Sequence, residues 1–185
     1  MRDINIAAEI EGALRMAAWE GDTETVKALI AAGADVHAHA DAPLWHAAME
    51  GRTDTMRALL DAGADKDIAL LEAASNGLNE LVGELLANGA DAQMCYGLAL
   101  GMAASRGHTE TVKTMLAAGA DFYSDFALFN AASEGHTDIV RALLEAGAYG
   151  RPDARRRAET NGHAETAKVL KNWRTRKRAS ASETA

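Results

Sequence analysis

Residues 107–121 read GHTETVKTMLAAGAD, and the same phrase returns along the chain. Close copies occupy residues 21–35 (GDTETVKALIAAGAD) and 51–65 (GRTDTMRALLDAGAD). Looser copies occupy 77–91 (GLNELVGELLANGAD) and 135–148 (GHTDIVRALLEAGA), and a degraded one begins at Gly162 (GHAETAKVLKNW). A unit that recurs six times in 185 residues points to a repeat architecture.

Within the phrase, apolar residues fall at i, i+3 and i+4, as in Val112, Met115, Leu116 and in Val26, Leu29, Ile30. That spacing puts them on one face of a helix. Thr23, Thr53, Thr109 and Thr137 stand at its start, where a hydroxyl can take up free backbone N–H groups, and the acids after them complement the helix dipole. A shorter helix precedes each copy, in the form ALRMAAWEG at residues 13–21, PLWHAAMEG at 43–51, ALLEAASNG at 69–77, ALGMAASRG at 99–107 and ALFNAASEG at 127–135. The glycine that closes each segment suits a left-handed helix end. Each helix pair is too small to bury its own apolar faces, so the pairs must stack. The predicted fold is all-α, a solenoid of about six helix-turn-helix units at residues 13–32, 43–62, 69–88, 99–118, 127–146 and 154–173.

Composition agrees with a folded, helical chain. Hydrophobic residues make up 48%, charged residues 25%, and there are only two prolines. The single cysteine, Cys95, has no partner for an internal disulfide, so a reducing compartment is expected and Cys95 reads as a loop or packing residue. The opening MRDINIAAEI does not resemble a secretory signal, and no apolar run is long enough to span a membrane. An intracellular, cytoplasmic protein is expected. The net charge of −8 divides unevenly: residues 1–150 carry −14 and residues 151–178 carry +7. Phosphate repulsion argues against nucleic acid along the acidic body and leaves the basic C-terminus as the one candidate for anionic partners. The cluster Arg174, Arg176, Lys177, Arg178 would imply a nuclear location if it is an import signal.

The repeated motifs resemble the ankyrin repeat over roughly residues 10–172. The family's T-P-L-H-x-A-A element is best kept from Ala42 to Ala48 (APLWHAA), and its G-H-x-E-x-V-x-x-L-L-x-x-G-A-D element is kept most fully at 107–121. The resemblance implies a non-catalytic protein-interaction scaffold without a cofactor. The departures are specific. The family repeat is about 33 residues, whereas the inter-helix glycines here stand 30, 26, 30, 28 and 27 apart. The shortening lies in the finger segment, so stubby loops and little or no β-hairpin are expected. The family's threonine is replaced by Ala42, Ile68, Leu98 or Phe126 and its histidine by Arg15, Trp45, Leu71, Gly101 or Phe129, so apolar contacts should replace the polar fastening. Arg155, Arg156, Arg157 and Lys171 give the last unit the polar outer face of a cap, and Ile4, Ile6 and Ile10 are expected to cover the first stack. The reading is one domain, residues 1–173, followed by a basic, disordered tail at 174–185.

Few residues suggest chemistry beyond the repeat. His37, His39 and Asp41 have a spacing that could serve a divalent metal, with His46 nearby, but a solvated inter-repeat loop leading into Ala42-Pro43-Leu44 is the better explanation and no metal is predicted. His108, His136 and His163 follow the inter-helix glycine, where the family uses histidine for turn hydrogen bonds. No triad, phosphate loop or paired catalytic carboxylate stands out, so no enzyme is predicted. Binding information should lie where the copies differ, on the concave face of first helices and loops. The residues singled out there are Trp19, Glu20, Trp45, Met49, Glu50, Arg106 and Glu134 on the helices, and His37, Asp41, Lys66, Met94, Tyr96, Tyr123 and Asp125 in the loops. Aromatic, Met and Arg side chains are enriched at protein interfaces. The expected function is a monomeric protein-binding module with a partner of basic character. The alternative is an acidic mimic of nucleic acid that inhibits a nucleic-acid-binding protein.

Overall fold

The computed structural model describes residues 2–91, 94–120, 125–148 and 152–183, and among them twelve helices and no strand. In chain order they are α1 (Arg2–Glu20), α2 (Thr23–Ala31), α3 (Ala38–Met49), α4 (Thr53–Asp61), α5 (Lys66–Asn76) and α6 (Asn79–Ala87). There follow α7 (Met94–Ser105), α8 (Thr109–Ala117), α9 (Asp125–Glu134), α10 (Thr137–Glu145), α11 (Pro152–Thr160) and α12 (Ala164–Glu183). Each odd-numbered helix packs on the even one after it, and the odd helices stack on one another from α1 to α11 as a first-helix row. The even helices form a second row, α2 on α4 and α6 through α12, with only marginal contact between α4 and α6.

The core is one continuous cluster from Leu14 to Leu170. Its pegs are the leucines of the first helices (Leu14, Leu44, Leu70, Leu100, Leu128), all at most 2% exposed, and the alanine pairs after them, whose small side chains let neighbouring helices approach. Val26, Met56, Val82, Val112 and Val140 are fully buried beneath the second row. The end of the repeated phrase is equally explicit. At the close of α8, Gly119 N–H donates to Leu116 O and Ala120 N–H to Met115 O, both at 3.0 Å, which satisfies the last carbonyls of the helix. Ala120 is buried, and in the earlier copy Asp65 caps α5 by accepting from the Asp67 and Ile68 amides.

Three expectations change. The threonine hydroxyls are not N-caps: those of Thr53, Thr109 and Thr137 donate back to the carbonyls of Gly51, Gly107 and Gly135, and Thr23 pairs with Thr55 of the next unit at 2.8 Å. Among the even helices with a described cap, only α2 has a side-chain bond, from Asp22 to the Thr25 amide. Ile6 does not cover the first stack, being 54% exposed on a helix that begins at Arg2. Helix α12 runs on past Trp173 through residues 174–183, a stretch whose Arg, Lys and Ala have helix propensity.

The histidines also do something different from closing their own turns. The ring Nε2–H of His108 donates to Ser75 O at 3.0 Å and that of His136 to Ser105 O at 3.1 Å, each reaching the preceding unit. Each imidazole then lies over the glycine of that unit's turn. At Gly107, with φ of 80°, an added Cβ would stand 2.7 Å from His136 Cε1. The glycine therefore serves two needs at once, a left-handed turn and space for the next unit's ring.

Candidate partner-binding face

The copies diverge at one, two, five and six positions after the buried leucine of each first helix; α1 and α3 leave these residues exposed or half-exposed, whereas Ser75, Gly101 and Ser133 of later units are buried. In α1 they are Arg15, Met16, Trp19 and Glu20, and in α3 Trp45, His46, Met49 and Glu50. Trp19 is 46%, Trp45 41% and Met49 49% exposed, large apolar surfaces that stacking does not use. Both indoles have a partner on α3 or its C-cap. The Trp19 indole N–H donates to Glu50 Oε1 at 3.1 Å, and Trp45 stands edge-on to His46 with ring centroids 5.0 Å apart.

In the middle of the row the same positions hold small and polar groups. Ser75, Ser105 and Ser133 replace Trp19 and Met49, and Gly101 replaces Trp45. Phe126 lies directly over Gly101, where any Cβ would collide with the ring, an apolar fastening in place of the family's threonine. Arg106 crosses to donate to Ser75 O at 2.9 Å. Beside it, burial pushes the Glu72 carboxyl above its ordinary range, and the Arg106 charge opposes that rise. At the far end Arg157 lies 5.9 Å above the Phe129 ring, and Asn161 donates to Ser133 O at 2.8 Å.

Of the positions picked from sequence, Trp19, Glu20, Trp45, Met49, Glu50, Arg106 and Glu134 are exposed on this row. Asp41 is not available in the same way: it is 8% exposed, and its carboxylate faces His37 Nδ1 at 2.9 Å. Residues 39–41 there run left-handed within α3, with φ between 54° and 59°. His39 faces Glu11 of α1 at 3.7 Å, and no group of three or more metal-ligating side chains gathers among the described residues. Tyr123 lies outside the described residues, as do the side chains of Met94, Tyr96 and Asp125. Met16 (48% exposed), Phe126 (45%), Phe129 (37%) and Arg157 were not picked. The leucine-relative register would have found Met16, Phe129 and Arg157.

Lys66 belongs elsewhere. It lines a groove of about 740 Å³ where α4 and α6 part, above a floor of Leu60, Leu81 and Leu85. The chain crosses between these units in the shortest of the steps, five residues from Gly63 to Ile68. Arg57 ties the walls with two bonds to Glu84, at 2.9 and 2.8 Å, holding the Glu84 carboxyl below its usual range.

Comparison with known proteins agrees with this geometry. The family described as ankyrin repeats (3 copies) matches residues 3–70, 70–156 and 100–181. Among solved structures, the crystal structure of the human ASB11 ankyrin repeat domain superposes with a TM-score of 0.76 at 26% identity, covering 86% of this chain and 82% of that one. No curated protein matches in a direct search. Twelve helices in two stacked rows, the shared glycine turns and the family match lead to one assignment: the chain belongs to the ankyrin repeat family.

Proposed function

We propose that the chain is a non-catalytic protein-binding module that captures its partner on the first-helix face, with Trp19, Trp45 and Met49 as the anchor. Ankyrin repeat domains are generally protein–protein interaction modules, which supports the class. The observation that carries the site is the half-exposure of these three side chains on neighbouring helices, where the equivalent positions of later units hold Ser75, Ser105 and Gly101. A residue needed for stacking would recur; these do not. Glu20 and Glu50 border the anchor and favour a partner with a basic element there. Among the described residues no helix is long and apolar enough to cross a membrane.

The test is replacement of Trp19, Trp45 and Met49 by alanine, followed by affinity capture and a melting curve. The expected outcome is loss of the captured partner with a melting temperature nearly unchanged. A collapse in stability would instead move these side chains into the scaffold. The nucleic-acid mimic draws less support. Glu24, Asp54 and Glu110 at the starts of the second helices each pair with Lys27, Arg57 or Lys113 three residues on, so that row is not a bare line of negative charge.

A further inference from the structure

The first-helix face is divided electrically along its length. At the four divergent positions per unit, α1, α3 and α5 carry Glu20, Glu50 and the half-buried Glu72 against one guanidinium, Arg15. The same positions of α7, α9 and α11 carry Arg106, Arg156 and Arg157 against one carboxylate, Glu134. The acidic half coincides with the Trp19 and Met49 anchor, and the basic half with Phe129, over which Arg157 is stacked. Between them the row carries no large free side chain: Gly101 lies under the Phe126 ring and Ser75 is buried beside Arg106, which bonds its carbonyl. Charges left in this arrangement repel a uniformly acidic or uniformly basic segment at one end or the other.

We propose that the partner segment is itself charge-segregated and lies along the row in one direction, its cationic, apolar end on α1 and α3 and its carboxylate-bearing end on Arg156 and Arg157 of α11. This rests on the first-helix-face reading above and adds to it a partner chemistry and a polarity. Like charges would meet in the reverse direction, so the two orientations are not equivalent. Complementary ends steer encounter and fix register while the aromatic anchors supply most of the contact area.

The experiment uses the full chain and two synthetic peptides of identical composition, each with a tryptophan and leucine at both ends. In one the lysines and glutamates are segregated into opposite halves; in the other they alternate. Binding is followed at low ionic strength, where exposed charges act over distance, by methionine-methyl NMR. Met16 and Met49 report the acidic half and Met102 the middle of the row. The segregated peptide should bind roughly tenfold tighter than the alternating one. A paramagnetic label on its cationic end should broaden Met16 and Met49 more than Met102. In the variant Glu20→Lys, Glu50→Lys, Arg156→Glu, Arg157→Glu, a label on the carboxylate end should do so instead. Equal binding of both peptides with Met16 and Met49 perturbed alike overturns the polarity and leaves the face standing. Signals from Met16 and Met49 untouched by either peptide overturn both.

Discussion

At Gly107 the backbone turns left-handed with φ of 80° and no side chain; at His39, Ala40 and Asp41 it does so with φ of 54°, 58° and 59° and three side chains in place. The first arrangement is repeated at every inter-helix turn because glycine meets it at no steric cost, and at Gly77, Gly107 and Gly135 the imidazole of the next unit also occupies the space a Cβ would need. The second occurs once among the described residues. Each of its three residues costs about 1–2 kcal/mol relative to ordinary helix, and local bonds offset part of that: Asp41 N–H to His37 O, and His37 to the Asp41 carboxylate. Repetition thus marks backbone geometry that is cheap and structural. The unrepeated strain lies at the entry to α3, the helix that carries Trp45 and Met49. Strain of this kind is held where the surrounding structure over-determines it, often beside functional surfaces.

The sharpest way to break the contrast is Gly107→Val. A β-branched residue at this φ, with the His136 ring against its Cβ, should cost about 2–3 kcal/mol. Urea unfolding measures it, and a cost within surface noise would mean that the turn relaxes freely and the ladder imposes nothing.

A smaller loss follows from His136→Ala. It leaves the half-buried Ser105 carbonyl without its donor, worth about 1–2 kcal/mol. The two sites should also couple. With the ring gone, a side chain at position 107 meets only the backbone penalty, so the double variant should be less destabilised than the sum of the singles. Strict additivity would show that ring and glycine act independently.

Much of this scaffold was legible in the sequence because its demands are local and repeated. The Val112, Met115, Leu116 spacing reports helix period, and Gly119 followed by Ala120 reports the helix stop; both read correctly from residue type alone. What was not legible depends on a neighbour in another unit. The His108 ring bonds Ser75, 33 residues away, and no local pattern distinguishes that from a bond within its own turn. The left-handed residues 39–41 carry no glycine to announce them, so the sequence looked like an ordinary loop leading to Pro43. The anchor on α1 and α3 was visible as departures from the repeat at Trp19 and Met49. The charge division along the row was not, because it appears only once six short helices are laid side by side in register.

The smallest effect has the opposite sign and divides the two settings most cleanly. In a regular helix, alanine to glycine is unfavourable, and Ala28→Gly, on the exposed side of α2, should cost about 1 kcal/mol. Ala40 is exposed too, but its φ of 58° is one glycine accepts freely, so Ala40→Gly relieves the Cβ penalty while adding backbone entropy to the unfolded chain. The first term exceeds the second, and the variant should gain about 0.5–1 kcal/mol. Chemical denaturation of both variants beside the parent is the measurement. A loss at Ala40 equal to that at Ala28 would mean residues 39–41 are ordinary helix in solution. A gain at Ala40 accompanied by weaker capture of the partner would tie the strained turn to the placement of Trp45 and Met49, since only a rigid entry to α3 can hold those side chains in register with Trp19.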